Sequence, residues 1–533
     1  MDNSLKVKFS LNQNWISEKK AVVFGIFEGE EIPCGLGFKK ETAEKDAEKL
    51  FPVFLRIKKH FAHKDFSGKF GEVAVLYPDD TMYKRIILCG LGKKEELDAE
   101  KIRNAASAGI AAAEKLHVHK VSFTLFGSPR QSAEDRLRAI FEGAALSLYA
   151  FDAYKTKPKE DPAPKAVITD VEFLLPEIIE EKDIAAWQKS LDKYVVVAEA
   201  VYFARNLTSQ PASVVTPKFL AETAEALSKQ HKNVTCTIYH KKELAEMNMN
   251  GILAVGAGSD NEPVLIVLEY DPVIPKHRDN GASPATDKSI PTVALVGKGV
   301  CFDSGGISLK PSENMEEMKM DMAGAAAVMA AFFTAVRLEL PVSVACVVPA
   351  VENLPSSKSY RPGDIVKTAS GKTIEVQNTD AEGRIILADA LHFAVSNFKP
   401  THVIDLATLT GACVVALGSH YAGLLSNDDA LAAALGVSGA KTGEKVWRMP
   451  LDEAYKKQIE SEIADVKNIG GKGAGTITAG MFLKEFIGDH KSWAHIDIAG
   501  TAMLSEKNTY RPKGGSGFGV RLLVDFLEGL TRV

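Results

Sequence analysis

The sequence predicts an α/β protein in two parts: a compact N-terminal α/β domain, then a larger α/β/α domain on a mixed, mainly parallel central sheet. Three observations support this. At 533 residues the chain is too long for one ordinary core. Apolar runs of strand length alternate with helical patterns in both halves, the rhythm that builds helix-covered sheets. A proline- and charge-rich segment, KTKPKEDPAPK at 155–165, interrupts that rhythm and can continue neither a helix nor a central strand.

In chain order, AVVFGIF, EVAVLY, RIILCGLG and VSFTLFG read as strands of the first domain, with AEKIRNAASAGIAAAEKL as a helix before the last of them. The strand candidate AVITDVEFLL follows the proline-rich segment. A long helical pattern then reads as a bridge, which divides the chain into 1–181, a linking helix at 182–205, and a second domain at 206–533. Beyond Thr216, NVTCTIYH, PVLIVLEY, TVALVGKG, PVSVACVVPA, THVIDLAT and AHIDIAG read as strands separated by helices. The polar stretch KHRDNGASPATDKSI at 276–290 reads as a surface insertion.

Composition excludes several classes. Apolar residues make up 46% and charged residues 25%, as in a soluble globular protein. With 64 basic and 69 acidic side chains the net charge is -5, so no global field draws the chain to nucleic acid or membrane. MDNSLKVKFSLNQNW lacks the basic-then-apolar pattern of a signal peptide, and no apolar stretch reaches the roughly 20 residues that span a bilayer. A cytoplasmic location is expected. The six cysteines, Cys34, Cys89, Cys236, Cys301, Cys346 and Cys413, have no paired spacing and read as reduced thiols, mostly in cores.

Some motifs mislead. GGKGAG at 470–475 and SGKT at 370–373 lack the earlier glycine that a phosphate loop requires, and VGAGSDN at 255–261 lacks the third glycine of a dinucleotide fingerprint. None of the 12 histidines forms an HExxH pair, and His392 and His402 read as structural.

Charge concentrates at two strand–helix junctions. TVALVG runs into a glycine-rich loop carrying Lys298, Asp303 and Lys310, and Asp321 then leads an almost wholly apolar helix. NTDAEGR at 378–384 brings Asp380, Glu382 and Arg384 to the second junction. Open α/β sheets assemble their sites at such C-terminal strand ends. Taken singly, each residue has a structural reading: a cap, a turn former, a solvated lysine, or a carboxylate at a helix start. Together, four carboxylates on three segments of one sheet would repel unless a cation lay among them. Oxygen ligands joined by lysine, without cysteine or histidine, suit one or two divalent cations, and bridging carboxylates hold a pair about 3.5–4 Å apart. Arg384, in a first helical turn, adds donors where backbone amides already favour an anion.

On VGKGVCFDSGGISLK, MKMDMAGAAAV, NTDAEGR, THVIDLATLTGA, KNIGGKGAGTITAGMFL and HIDIAG, the chain from about 207 onward resembles the dizinc leucine aminopeptidase family, also called cytosol aminopeptidases. The resemblance implies five metal ligands, Lys298, Asp303, Asp321, Asp380 and Glu382, with Asp303 and Glu382 bridging two ions. It implies catalytic roles for Lys310, which stabilises an oxyanion, and for Arg384, which holds a bicarbonate as general base. It also implies a pocket for the first side chain lined by Met318, Thr408, Gly411, Ala499 and Ala502, with the Leu409 backbone nearby. That apolar, roomy lining suits Leu, Met and Phe.

The implied reaction is hydrolysis of the first peptide bond of peptides with a free N-terminus, by a water activated between the two ions. Lys310 must then be protonated, while Lys298 must be neutral to bind a metal. Zinc, manganese, magnesium and cobalt all suit an oxygen-rich site, so the metals stay open. The resemblance further implies a macro-like N-terminal domain and a homohexamer whose sites face an interior cavity. Cys301 stands where many relatives carry threonine and Ser213 where asparagine is common; neither is a ligand. The 276–290 insertion is longer than the resemblance leads one to expect. Two alternatives stay open here: a two-metal hydrolase of another bond, such as a phosphoester, and nucleotide or nucleic-acid binding by the N-terminal domain, against which the balanced charge argues.

Overall fold

The strand Val22–Phe27 is buried at every position, which is why its sequence is a continuous apolar run with no polar face. It lies inside a six-stranded sheet ordered Lys8–Asn12, Asp170–Leu174, Lys120–Thr124, Val22–Phe27, Ile86–Gly92 and Val73–Leu76. All neighbours are parallel except the last pair. The computed structural model describes residues 6–12, 21–30, 53, 55–61, 63–78, 83–128, 130–156, 167–175, 181–272 and 290–531. The expected insertion at 276–290, the proline-rich segment at 155–165 and Cys34 fall wholly or almost wholly outside these residues.

The chain forms two compact units, Met1–Glu199 with Glu506–Pro512, and Ala200–Ser505 with Lys513–Val533. In the first, helix Ala99–Lys115 is capped by Asp98 and helix Ala133–Ser147 by Ser132, each side chain accepting a backbone N–H three residues on. Buried Arg103 joins the two helices, donating to Glu142 at 2.6 Å and to Glu100 at 3.1 Å. The returning loop Glu506–Pro512 completes this cluster, because the fully buried Tyr510 donates its hydroxyl to Glu100 at 3.0 Å. The bridging pattern expected at 182–205 is one helix, Glu181–Ser209, and the division between units falls inside it.

In the second unit, the described sheet runs Val446–Arg448, Ala422–Ser426, Trp493–Asp497, His402–Ala407, Thr292–Gly297, Ser343–Asn353, Val264–Tyr270, Val234–Tyr239. Its four middle strands are parallel to one another, with antiparallel pairings toward both edges. Side chains alternate between faces, and the alternation decides which helix each residue meets. Ala294 and Val296 share a core with Ile385, Leu387 and Leu391 of helix Glu382–Phe398. On the other face, a Cβ at Gly297 would lie 2.4 Å from Val328, so this glycine lets helix Ala323–Arg337 press against the strand.

That helix is apolar all round because all its residues but Arg337 are buried. The run Met315–Arg337 has the length and apolarity of a membrane span, contrary to the reading that no stretch reaches that length, but 89% of its span-like window is buried inside the unit. Burial from both sides, by sheet and by helices, accounts for the apolarity. SGKT proves to be the turn between strands Ile365–Lys367 and Thr373–Glu375, with Gly371 at φ +86°.

Candidate metal centre

The segments carrying Lys298, Asp303 and Thr408 leave the large sheet at its C-terminal edge, whereas NTDAEGR, expected on the same sheet, follows strand Thr373–Glu375 of a separate three-stranded sheet. Lys298 follows strand Thr292–Gly297, Asp303 ends the short strand Gly299–Asp303, and Thr408 and Leu409 follow His402–Ala407. Asp321 caps the end of the 3-10 turn Met315–Met320, and Glu382 opens helix Glu382–Phe398. The structure therefore brings together all five expected ligands and both expected catalytic residues.

Lys298 is the hub. Its Nζ lies 2.8 Å from Asp321 Oδ2 and from Glu382 Oε1, and donates to the Thr408 carbonyl at 2.8 Å. A Cβ at position 383 would lie 2.4 Å from Lys298 Cε, so Gly383 is what lets the lysine cross the helix backbone. Lys310 Nζ meets Asp303 Oδ2 at 2.8 Å and pairs closely with Asp380 Oδ1. Carboxylate oxygens of Asp303, Asp380 and Glu382 all come within 4.8 Å of one another.

Four carboxylates face two ammonium groups, and the titration of the cluster reflects the excess. Burial pushes Asp303 up to about 7, with Glu382 adding to the rise and the lysines opposing it. Burial also raises Asp321 well above the carboxylate range and raises Asp380. Glu382 goes the other way: burial works to raise it, but Lys298 and Lys310 together hold it low. Both lysines are raised, because the carboxylates outweigh the burial that would lower them. Asp321 Oδ2 and Asp380 Oδ1 are buried and accept no hydrogen bond from the described residues, although each has a lysine within ion-pair reach. Clustered hard oxygens with spare lone pairs are the donor set that divalent cations use, so the residues fit the implied metals.

Arg384 is buried beside them. Its Nη1 donates to the Asn468 carbonyl at 2.9 Å, while its Nε has no hydrogen-bond partner among the described residues. Burial lowers its pKa to about 10, with Glu382 and Asp497 opposing. An arginine with a donor unspent, at a helix N-terminus, can take an anion.

The residues expected to line a pocket have different structural roles. Thr408 spends its hydroxyl on Asp321 Oδ1 at 2.6 Å, so it supports the centre as well as bordering it. Leu409 and Ala499 are tied to one carboxylate, their N–H groups donating to Asp497 Oδ1 at 3.1 and 3.2 Å. Gly411 starts helix Gly411–Leu417 and opens on free space, since an added Cβ would meet nothing within 4 Å. Met318 is half-buried in the 3-10 turn before Asp321, and Ala502 is buried, its N–H donating to Ile498 O at 2.9 Å.

Sequence reading missed the supporting groups Asn353, Tyr360, Asn468 and Asp497. Asp497 had a signal, being the carboxylate that ends strand Trp493–Asp497 at the same sheet edge. Asn353, Tyr360 and Asn468 are neutral and stand outside any charged run.

The profile of the cytosol aminopeptidase family's catalytic domain matches residues 202–524, and that of the family's N-terminal domain matches 34–158. A probable cytosol aminopeptidase of Geotalea uraniireducens is 44% identical over 471 residues, covering 88% of this chain and 90% of its own length. That of Geobacter sulfurreducens is 45% identical over 473 residues, with 88% and 90% covered. Among solved structures, a point mutant of tomato leucine aminopeptidase superposes with a TM-score of 0.82 at 30% identity, covering 99% of this chain and 97% of that one. The bottromycin maturation enzyme BotP, solved in complex with Mn, gives 0.80 at 32% identity, with 96% and 100% covered. The chain belongs to the cytosol aminopeptidase family and is a metal-dependent aminopeptidase.

Proposed function

We propose that this aminopeptidase removes apolar N-terminal residues, Leu foremost with Met and Phe, from peptides in the cytoplasm, using two divalent cations per subunit. The observation that carries the reading is the convergence of Asp303, Asp380 and Glu382 oxygens within 4.8 Å, flanked by Lys298 and Asp321. Lys298, Asp303, Asp321, Asp380 and Glu382 would hold the ions; zinc and manganese suit them, and the Mn complex of BotP favours manganese as a candidate. The ions would supply a water acidic enough to ionise near neutral pH.

The chain's own groups do the rest. Lys310, held protonated by Asp303 and Glu382, is placed to donate to the oxygen that gains charge as the carbonyl is attacked. Asp321 would receive the substrate's free α-amine, so a blocked N-terminus would be a poor substrate. Arg384, with its unpartnered Nε, would hold a bicarbonate, which would supply a general base there. Met318, Thr408, Leu409, Gly411, Ala499 and Ala502 would receive the first side chain.

The test is metal content and activity on leucyl and phosphoryl chromogenic substrates, side by side, before and after chelation. Leucyl hydrolysis that disappears with the metal and returns with Mn or Zn is expected. Full activity in metal-free protein, or phosphoester hydrolysis in place of leucyl hydrolysis, would overturn the reading.

A further inference from the structure

Behind the carboxylates lies a neutral clamp that no charge pattern reveals. Asn353 is the last residue of strand Ser343–Asn353, in parallel register with Asp303. It is 1% exposed, and its side-chain Nδ2 donates to Asp303 Oδ1 at 2.8 Å and to the Thr379 carbonyl at 2.9 Å. Both amide hydrogens are thereby used. The opposite amide orientation would set an oxygen against two acceptors, so the orientation is determined by its neighbours.

The same residue fixes the loop after Asp303, since its backbone carbonyl accepts from Ser304 N at 3.1 Å and from Ser304 Oγ at 2.8 Å. Thr379 closes the ring: its hydroxyl donates to Gly305 O at 2.6 Å and accepts from Ser308 N at 2.8 Å, and its carbonyl also accepts from Tyr360 at 2.8 Å. Asp303 Oδ1 has a second donor in Gly305 N at 2.9 Å. Two donors take up both lone-pair directions of Oδ1, while Oδ2 faces Lys310.

We propose that Asn353 is a positioning residue of the metal centre, turning Asp303 so that Oδ2 alone is offered to the ions and tying it to the segment that carries Asp380. This rests on the two-metal reading above and deepens it. Gly306 belongs to the device: at φ +67° a side chain there would place its Cβ 2.6 Å from Asn353 Oδ1 and push the amide off its partners.

The experiment measures Mn binding to the full-length protein by competition with a chromogenic chelator, and the Mn spin-resonance spectrum of the loaded protein. Wild type comes first, and failure to bind Mn would sink the two-metal reading itself. If wild type binds, Asn353→Ala should bind about 10- to 100-fold more weakly, with an altered spectrum and an apo unfolding midpoint close to wild type. Asn353→Leu keeps the volume and carries the same measurement if the alanine variant does not fold. Tyr360→Phe removes one of two donors to the Thr379 carbonyl and none to Asp303, so its Mn affinity should stay near wild type. Unchanged affinity and spectrum in the Asn353 variants would overturn the proposal. So would a loss in Tyr360→Phe equal to that in Asn353→Ala, which would place the effect on Thr379 instead of Asp303.

Discussion

Lys298 and Lys310 are the same residue type in one carboxylate cluster, yet they pair with different members of it and the two-metal reading asks different things of them. Lys310 is one-fifth exposed and reaches Asp303 and Asp380 from the open side, whereas Lys298 is 3% exposed and lies under Asp321 and Glu382. A cation taking over the carboxylates around Lys298 would remove the charges that now keep it protonated, and the amine could then serve as a ligand. Lys310→Ala is therefore expected to lower kcat by about 100- to 1,000-fold with metal content intact, while Glu382→Ala should lose metal and activity together. Metal analysis beside steady-state kinetics separates the two, and metal loss in the lysine variant would mean the lysines are assigned the wrong way round. Gly383 belongs to the same arrangement. Replacing a helical glycine by alanine usually stabilises by about 1 kcal/mol, but here the new Cβ would meet Lys298 Cε at 2.4 Å.

Helix Glu382–Phe398 carries the site at its first turn and an anchor further along. Asp389 is fully buried and accepts from Ala369 N at 2.8 Å and Ile252 N at 3.1 Å, joining the helix to two other segments. Burial pushes its carboxyl up to about 7 against the pull of those backbone donors. The folded state thus favours the neutral acid. That contribution is fully present below the unfolded carboxyl's pKa, near 4, and is lost as pH rises through about 7. Denaturant unfolding at pH 5 and pH 8.5 should show wild type losing more stability with rising pH than Asp389→Asn; parallel losses would rule this contribution out. The long elements were legible because buried strands read as unbroken apolar runs and helices as 3.6-residue periods. Ile365–Lys367, Thr373–Glu375 and Val466–Lys467 were not, since two or three residues carry no period. The bridging helix runs on to Ser209 because Leu207 is buried and Thr208 returns its hydroxyl to Ala204 O at 2.9 Å, signals that exist only after packing.

At the scale of the molecule, the charged half of the site could be read from sequence because its carboxylates and lysines stand in dense motifs, and the neutral half could not. Asp380 and Glu382 announce themselves in NTDAEGR; Asn353 is one amide at the end of a strand whose partners lie 50 and 26 residues away. Assembly belongs to this scale as well. We expect a homohexamer, and exposed apolar side chains such as Val415 and Trp447, the latter on the sheet's edge strand, fit a surface that another copy covers. Sedimentation should give six chain masses, and a monomer at micromolar concentration would refute it.

The loop Glu506–Pro512 sets a limit on dissection. The first unit is not a contiguous piece of sequence, because seven of its residues are supplied some three hundred positions after the rest. A fragment cut within helix Glu181–Ser209 would leave Glu100 without the Tyr510 hydroxyl, and the complementary fragment would carry a tyrosine that is fully buried in the intact chain into water. A boundary at the helix therefore separates residues that belong to one unit. Exchanging the N-terminal half for another would require exchanging that loop with it.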